Sequence, residues 1–270
     1  MPQLLSPLAP RSALYLPASN ARALAKARTL PTDMVILDLE DAVRDADKDA
    51  ARGAAVAAME EGFGKRIATI RINAADSAFH AADVAATSGC AAAAIVIPKV
   101  ESVEAVSRVV AAIGKPVLAM IETPAGLLAA AAIAAAPGVA GLIAGTNDLA
   151  HALRLPPASG RGGLSLALQT IVLAARAADI FVLDGVWNRL KDPEGLAAEC
   201  REGRAWGFDG KTLIHPSQVD IANRAFSPAE MEIEDARALI AAASGGAVRF
   251  RDRMVEDMHV ATALALLARA

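Results

Sequence analysis

Short apolar runs alternate with stretches of helical periodicity along most of the chain. The runs lie near residues 13, 34, 67, 94, 117, 141, 181 and 211, and a helix or helical turn is predicted after each one. Strands joined by helical crossovers run parallel, so all eight would end at the same edge of the sheet. The pattern predicts an α/β fold, a (β/α)8 TIM barrel that occupies residues 1–225.

The unit at residues 116–149 shows the pattern most clearly, because two apolar runs there each lead to a carboxylate. VLAMI is followed by Glu122, and GLIAG is followed by Asp148. The alanine-rich stretch between them predicts one packed helix. Two acids without a base between them suit a hard cation, most often Mg²⁺. A single acid at a strand end equally often caps the next helix, so this pair alone leaves both interpretations open.

The second and third strands also end in charged residues. MVILDLED leaves Asp38, Glu40 and Asp41 together, and three acids so close repel one another unless a cation or hydrogen-bond donors share the site. Arg71 ends the third strand. Its guanidinium either neutralises these acids or binds a substrate carboxylate, and the spacing favours neither.

Polar residues are predicted at the end of every strand: Asn20, Asp38, Glu40, Asp41, Arg71, Lys99, Glu122, Asp148, Asp184 and His215. Scattered helix caps would not be expected to include Arg, Lys and His. In a closed barrel this edge carries the active site, so the eight-strand pattern favours the metal interpretation of Glu122 and Asp148.

The eight predicted strand–helix units are complete before residue 226, so residues 226–270 lie beyond the barrel. They predict a helix, a link with the sequence SGGAVRFRDR, and a last amphipathic helix, MVEDMHVATALALLARA. This extension either covers the barrel's own flank or reaches a neighbouring subunit. In the second case it would carry Glu256 and Asp257 to that subunit's site.

Composition narrows the class of protein. With 54% hydrophobic and only 3% aromatic residues, the core of this 270-residue chain must be built from Ala, Val, Ile and Leu. A net charge of −3 gives no basic face for nucleic acid, and no apolar stretch approaches the roughly 20 residues of a membrane span. Cys90 and Cys200 are expected to be buried free thiols in a reducing compartment. Without a secretory signal at the start of the sequence, we expect a cytoplasmic location.

Two further segments each allow two interpretations. The helix after the first strand carries Arg22, Lys26 and Arg28, which form a solvated face or hold a phosphorylated ligand tail. The segment RLPPASGRGG after Asp148 is an active-site flap or a plain connection.

Seven segments, in order and spacing, resemble the citrate lyase β-subunit-like branch of the HpcH/HpaI aldolase superfamily, which includes malyl-CoA and citramalyl-CoA lyases. They are RSALYLP, MVILDLEDAV, TIRIN, IVIPKVES, IETPAG, AGTNDLA and GKTLIHPSQV. The resemblance covers nearly the whole chain. It implies a TIM barrel that forms or breaks a carbon–carbon bond with Mg²⁺, for which Mn²⁺ is an alternative. It also implies a homo-oligomer, a trimer or hexamer, whose C-terminal helix crosses to the next subunit.

The resemblance assigns roles to individual residues. Glu122 and Asp148 would bind the metal, and Arg71 would bind the oxo-acid portion of the substrate. Further residues implied around the metal, on the substrate or in catalysis are Asp38, Glu40, Asp41, Lys99, Thr123, Pro124, Arg22, Lys26 and Glu256. Of these, Asp41 and Glu256 join Arg71 as candidate catalytic groups, and Arg22 and Lys26 would lie near the CoA tail.

The C-terminal motif departs from the family pattern. Glu256 follows Met254 and Val255 where the family usually has aspartate, and the preceding glycine is replaced by Asp252 and Arg253. The acid is retained with one additional methylene, so its reach changes.

The implied activity is cleavage of a β-hydroxyacyl-CoA, such as citramalyl-CoA or malyl-CoA, to acetyl-CoA and a 2-oxo acid, pyruvate or glyoxylate. Three alternatives remain: a class II aldolase acting on free 2-oxo-acid aldols, a citrate lyase β subunit with an acyl-carrier partner, and a non-catalytic ligand-binding paralogue.

Overall fold

The computed structural model describes residues 9–157, 159–243 and 248–270, apart from the side chains of Val248 and Arg253. The chain divides into two compact units between Asn223 and Arg224. Expectations about residues 1–8, and about residues 244–247 of the predicted link, lie outside the described residues.

The first unit is a closed barrel of eight parallel strands, so the predicted (β/α)8 architecture is confirmed. The strands are β1 (Ser12–Pro17), β2 (Met34–Asp38), β3 (Ile67–Arg71), β4 (Ala94–Ile97), β5 (Val117–Ile121), β6 (Val139–Ala144), β7 (Phe181–Asp184) and β8 (Gly210–Leu213). Each pairs in parallel with the next, and β1 closes on β8 through Ser12 and Lys211.

The strands form continuous apolar runs because both of their faces are covered. Every residue of β2, β4, β5 and β6 is buried, as expected for a parallel sheet enclosed by helices. Small and branched side chains fill the barrel interior: Ala13, Met34, Ile36, Ala94, Val96, Leu118, Met120, Ala140, Ile143 and Leu183. Cys90 and Cys200 are buried and free.

Ten helices lie between residues 21 and 226 of the part of the chain that the structure describes. They are α1 (Ala21–Ala27), α2 (Lys48–Glu61), α3 (His80–Ser88), α4 (Val103–Ile113), α5 (Pro124–Leu128), α6 (Ala130–Ala134), α7 (Thr146–Ala152), α8 (Ser165–Ala177), α9 (Pro193–Ala205) and α10 (Val219–Phe226). Short 3-10 turns occupy Asp45–Asp47, Gly162–Leu164 and Pro216–Gln218. No described helix has the length and apolar character needed to cross a membrane.

The alanine-rich stretch after Glu122 departs from the prediction of a single helix. It forms α5 and α6, which are separated by Ala129, a residue with φ of −96° and ψ of 0°. The N–H of Ala129 still bonds to the carbonyl of Ala125 at 3.1 Å, and that of Ile133 to the carbonyl of Ala129 at 3.0 Å. The stretch consists almost entirely of alanine and other apolar residues. No residue in it marks the end of one helix and the start of the next, so the sequence pattern could not predict the break.

The second unit contains α11 (Glu230–Ala242), α12 (Asp257–Leu267) and an antiparallel pair, β9 (Val248–Phe250) and β10 (Arg253–Val255). Its small core contains Ala236, Leu239, Val255 and Ala263. The segment predicted as a link therefore contains β9 and the first residue of β10, which pair in antiparallel fashion.

Candidate active site

A cavity of about 340 Å³ opens at the carboxyl ends of the barrel strands, and we call it the rim cavity. Five of the predicted site residues line it: Asp38, Asp41, Arg71, Glu122 and Asp148. Asp38 and Arg71 end β2 and β3, Asp41 and Glu122 follow β2 and β5, and Asp148 lies in the helix after β6. The closed barrel brings these strand ends to one place.

Arg71 is held by Asp38 through two parallel hydrogen bonds. Its Nε donates to Oδ1 at 2.7 Å and its Nη2 donates to Oδ2 at 2.6 Å, with both side chains almost fully buried. Burial disfavours the charged guanidinium, yet Asp38 raises the pKa of Arg71 well above its ordinary value. The guanidinium therefore remains charged and fixed in orientation.

Two more carboxylates lie close to Nη1, the remaining nitrogen of the Arg71 guanidinium. Nη1 lies 3.0 Å from Oε2 of Glu40 and 3.4 Å from Oδ2 of Asp41. Glu40 is buried, and burial raises its pKa, whereas the Asp41 side chain is 63% exposed. Of the three acids on this guanidinium, Asp41 is therefore the one accessible to a ligand.

Tyr15 supports Arg71 from the barrel interior. The guanidinium carbon lies 4.9 Å from the centre of the tyrosine ring, and the hydroxyl contacts Sδ of Met120 at 3.5 Å. Burial raises the pKa of the Tyr15 hydroxyl, so the ring remains neutral under Arg71. A cation over an aromatic face is stabilised by the quadrupole of the ring.

A buried lysine holds the turn that carries Glu40. Nζ of Lys48 donates to the carbonyls of Leu39 at 2.9 Å and Glu40 at 3.0 Å, and to Oδ1 of Asn73 at 2.6 Å. The turn is thus fixed by its backbone, which leaves the Glu40 carboxylate directed at Arg71.

Glu122 is 3% exposed and is oriented by the turn after β4. Its Oε1 accepts a 2.7 Å hydrogen bond from the backbone N–H of Lys99. Burial and the nearby Glu40 raise the pKa of Glu122 to about 7, against the stabilising Lys99 amide. A cation at this position would favour the ionised carboxylate.

Gly145 leaves the space that the Glu122 side chain occupies. A Cβ at this glycine would collide with Cβ and Oε2 of Glu122. The residue before α7 must therefore be glycine for the carboxylate to keep its position.

The ammonium of Lys99 lies between Glu40, which contacts Arg71, and Asp148. Its Nζ lies 2.9 Å from Oε1 of Glu40 and 4.0 Å from Oδ2 of Asp148. Asp148 lies in the first turn of α7 with its side chain 43% exposed, so its carboxylate is open to the cavity.

The residues at the rim fit a magnesium ion by the chemistry of their donors. Glu122 and Asp148 supply carboxylate oxygens in one cavity. Within the described ranges, no group of three or more His, Cys, Asp or Glu side chains is arranged for a metal. Two carboxylates with water or substrate at the other positions is a usual arrangement for Mg²⁺.

Four predicted substrate contacts lie away from the cavity lining. Arg22 and Lys26 are exposed on α1, whose first turn is capped by Asn20. Thr123 caps α5, accepting from the N–H of Gly126 at 3.0 Å, and Pro124 is the first residue of that helix. The structure thus shows a capping role for Thr123.

Two rim residues belong to the scaffold. Asp184 is fully buried and binds Nζ of Lys211 at 3.0 Å and Nη2 of Arg161 at 2.7 Å. His215 caps the turn Pro216–Gln218. The Arg161 contact also fixes the end of the segment predicted as a flap or connection.

Glu256 lies in the second unit, at the N-cap of α12, and is exposed. Its backbone N–H donates to Nδ1 of His259 at 3.0 Å. The helix begins at Asp257, so Glu256 precedes the helix rather than belonging to it.

Sequence reasoning missed several residues of the site: Tyr15, Lys48, Gly145, Asn147 and Asn188. A signal existed for two of them, because Gly145 and Asn147 flank Thr146 immediately after a strand that leads to Asp148. The others act through contacts between distant segments, such as Asn188 Nδ2 with Asn147 Oδ1 at 2.7 Å.

Comparisons with known proteins agree with this architecture. The family model described as HpcH/HpaI aldolase/citrate lyase matches residues 11–216, and a model for a C–C bond lyase of the TIM-barrel fold matches residues 163–270. The chain therefore belongs to the HpcH/HpaI aldolase/citrate lyase family. It is an enzyme of the lyase type.

Individual relatives extend over nearly the whole chain. A protein of Cereibacter sphaeroides named (3S)-malyl-CoA thioesterase is 45% identical, covering 96% of this chain and 94% of the relative. A citrate lyase subunit beta-like protein of Mycobacterium tuberculosis is 35% identical, covering 95% of this chain and 94% of the relative. The crystal structure of CitE from M. tuberculosis with magnesium, acetoacetate and coenzyme A superposes with a TM-score of 0.82 at 35% identity, covering 98% of each chain.

Proposed function

We propose that the enzyme cleaves the carbon–carbon bond of a β-hydroxyacyl-CoA that bears a carboxylate beside its hydroxyl, such as malyl-CoA or citramalyl-CoA. The products would be acetyl-CoA and a 2-oxo acid, glyoxylate or pyruvate. One observation carries the proposal: a fixed guanidinium, Arg71, shares one cavity with the carboxylates of Glu122 and Asp148. The CoA and magnesium in the related CitE structure support the same ligand class.

Glu122 and Asp148 would hold Mg²⁺, which when bound supplies Lewis-acid polarisation of the substrate's carboxylate and hydroxyl oxygens. Arg71 would donate to the hydroxyl oxygen as it becomes a carbonyl. Such a donor commonly contributes a few kcal/mol to the transition state. Manganese would substitute for magnesium, since both prefer oxygen ligands.

Asp41 would accept the hydroxyl proton as the bond breaks. Its carboxylate is the exposed acid beside Arg71, 3.4 Å from Nη1. The electrons of the broken bond pass into the enolate of acetyl-CoA, which then needs a proton at carbon. Glu256, delivered by a neighbouring subunit of a homotrimer or hexamer, would supply it, with residues 226–270 acting as lid and oligomerisation segment.

Hydrolysis of the thioester is a second candidate for the same substrate. The observation that favours it is the 45% identity to a protein named (3S)-malyl-CoA thioesterase. In this case water attacks the thioester carbonyl, and malate and free CoA leave with the carbon skeleton intact.

One assay separates these reactions. Purified enzyme is incubated with malyl-CoA and with both citramalyl-CoA enantiomers, with and without Mg²⁺, and the products are identified by mass. Acetyl-CoA with a 2-oxo acid supports cleavage, and malate with free CoA supports hydrolysis. No turnover of any CoA ester, combined with turnover of free 2-oxo-acid aldols, would replace the proposal with a class II aldolase. An Arg71→Ala variant with normal turnover would contradict the role given to Arg71.

A further inference from the structure

A second cavity of about 570 Å³ adjoins the rim cavity. The two cavities share four lining residues: Thr146, Asn147, Val186 and Asn188. Two of these belong to α7, which follows β6, and two belong to the loop after β7. These residues therefore form a wall between the two cavities.

An exposed asparagine pair spans this wall. Nδ2 of Asn188 donates to Oδ1 of Asn147 at 2.7 Å, and the reciprocal contact from Nδ2 of Asn147 to Oδ1 of Asn188 is 3.5 Å. The pair joins segments 41 residues apart in the chain. Asn147 directly precedes Asp148, so the pair lies beside a carboxylate of the rim cavity.

Beyond the wall, the lining of the second cavity is mixed, and its apolar part includes Ala150, Leu155, Pro156, Leu164 and Trp187. Ala150 lines the second cavity and is not part of the rim cavity lining. A carbon chain that crossed the wall would therefore be removed from water against alkyl and indole groups.

Each charged side chain in the lining of the second cavity forms an ion pair within the protein. Arg161 binds Asp184 at 2.7 Å, Glu199 binds Lys211 at 2.7 Å, and Arg189 lies 3.4 Å from Asp192. A charged substituent would have to compete with these ion pairs, whereas an uncharged chain would not.

We propose that the Asn147–Asn188 pair determines which 2-oxo acids the enzyme accepts. The pair confines the acid to a short substituent, and the second cavity accommodates a straight aliphatic substituent once the pair is opened. This inference rests on the proposed function, because it requires a 2-oxo acid in the rim cavity.

The test measures binding of 2-oxo acids rather than turnover. The protein has two tryptophans, so Trp206→Phe leaves Trp187 in the second cavity as the only indole reporter. Isothermal titration calorimetry gives the Kd values of pyruvate, 2-oxohexanoate and 2-oxoadipate in the presence of Mg²⁺, with and without Asn188→Ala. The emission of Trp187 reports separately whether a ligand enters the second cavity. We expect Asn188→Ala to improve the binding of 2-oxohexanoate relative to pyruvate by about tenfold or more, measured as the ratio of their Kd values. The reason is that the additional methylenes of 2-oxohexanoate become buried. We also expect Trp187 emission to change with 2-oxohexanoate only in this variant.

A second substitution keeps the inference falsifiable. Asn188→Ala combined with Ala150→Phe places a phenyl ring in the second cavity, one helical turn from Asn147. We expect it to remove the gain for 2-oxohexanoate while pyruvate binds as in Asn188→Ala alone. An unchanged ratio in Asn188→Ala, or a larger gain for 2-oxoadipate, overturns the inference. If no 2-oxo acid binds at all, the inference is also wrong. The proposed function is tested separately by turnover of malyl-CoA in the Trp206→Phe background.

Discussion

The backbone N–H of Lys99 points at the Glu122 carboxylate, 2.7 Å from Oε1. Lys99 reaches this position in the left-handed region with φ of 50°, which is uncommon for a residue other than glycine. The same residue places its ammonium 2.9 Å from Glu40. The turn after β4 therefore orients one proposed metal ligand and partly neutralises the acids around it.

Removing the Lys99 ammonium should strengthen metal binding. Its Nζ lies 4.0 Å from Asp148, so a bound cation must overcome its repulsion. For Lys99→Met we expect Mg²⁺ to bind about threefold to tenfold more tightly, a modest factor because both side chains are partly exposed. Isothermal titration at two salt concentrations measures this change. Lys65→Met, an exposed lysine before β3, serves as the control, and weaker binding in Lys99→Met would show that the ammonium is not a competitor.

Adding one methyl group at Gly145 should displace Glu122. The new Cβ would overlap Cβ and Oε2 of the glutamate. We expect Gly145→Ala to lower turnover by about 10²-fold, the scale of a misplacement near 1 Å, and to weaken Mg²⁺ binding. Gly53→Ala in α2 is the matched control, since a Cβ there meets nothing within 4 Å. That control should gain roughly 0.5–1 kcal/mol of stability from helix propensity. Unchanged Mg²⁺ affinity in Gly145→Ala would mean that Glu122 is not the ligand.

Asp38→Asn should release Arg71 from its fixed orientation. The carboxylate makes both short hydrogen bonds to the guanidinium. Breaking a buried pair commonly costs about 3–5 kcal/mol, and we expect about 2–3 here because Glu40 and Asp41 remain. Urea unfolding measures this loss. The exposed pair of Arg44 with Asp47 supplies the control, since Asp47→Asn should change stability by less than about 1 kcal/mol. Equal losses in the two variants would contradict the account.

The stability of the metal-free protein should depend on pH through Glu122. Its pKa rises from 4.5 to about 7 on folding, so the folded protein binds more protons than the unfolded chain between these values. The protonated Glu122 therefore contributes fully to the free energy of unfolding below the unfolded pKa, and this contribution is lost as pH rises through about 7. Between pH 5 and 8 the free energy of unfolding should fall by about 2–3 kcal/mol for this reason. Thermal unfolding from pH 5 to 8 should show this decline in wild type and less of it in Glu122→Gln. The exposed Glu60→Gln should behave like wild type; an identical profile for Glu122→Gln would disprove the assignment.

The same proton should compete with the metal. Because Mg²⁺ requires the ionised carboxylate, its affinity should fall by about tenfold per pH unit well below pH 7. Titrations of Mg²⁺ at pH 5.5, 6.5 and 7.5 measure this dependence. An affinity that is constant over this range would indicate that Glu122 is already ionised in the metal-free protein.

The barrel and its charged rim were predictable because burial leaves a direct record in the sequence. Strands covered on both faces become uninterrupted apolar runs, and the residue after each run lies at one edge of the barrel. Asp38, Arg71, Glu122 and Asp148 could be located in this way.

Other features depend on contacts that no local pattern encodes. Lys48 resembles any lysine at a helix start, yet its ammonium is buried on the carbonyls of Leu39 and Glu40. The Asn147–Asn188 pair joins α7 to the loop after β7, 41 residues further along the chain. Both features depend on segments that meet only when the chain is folded, so they could be seen only in the three-dimensional structure.

The central claim is that Glu122 and Asp148 hold a magnesium ion on which turnover depends. The most direct measurement is turnover of malyl-CoA by enzyme stripped with EDTA, before and after a Mg²⁺ titration, for wild type and Asp148→Asn. We predict that stripped wild type is inactive and recovers on addition of Mg²⁺, while Asp148→Asn does not recover at the same concentration. Full turnover by wild type in excess EDTA would contradict the claim.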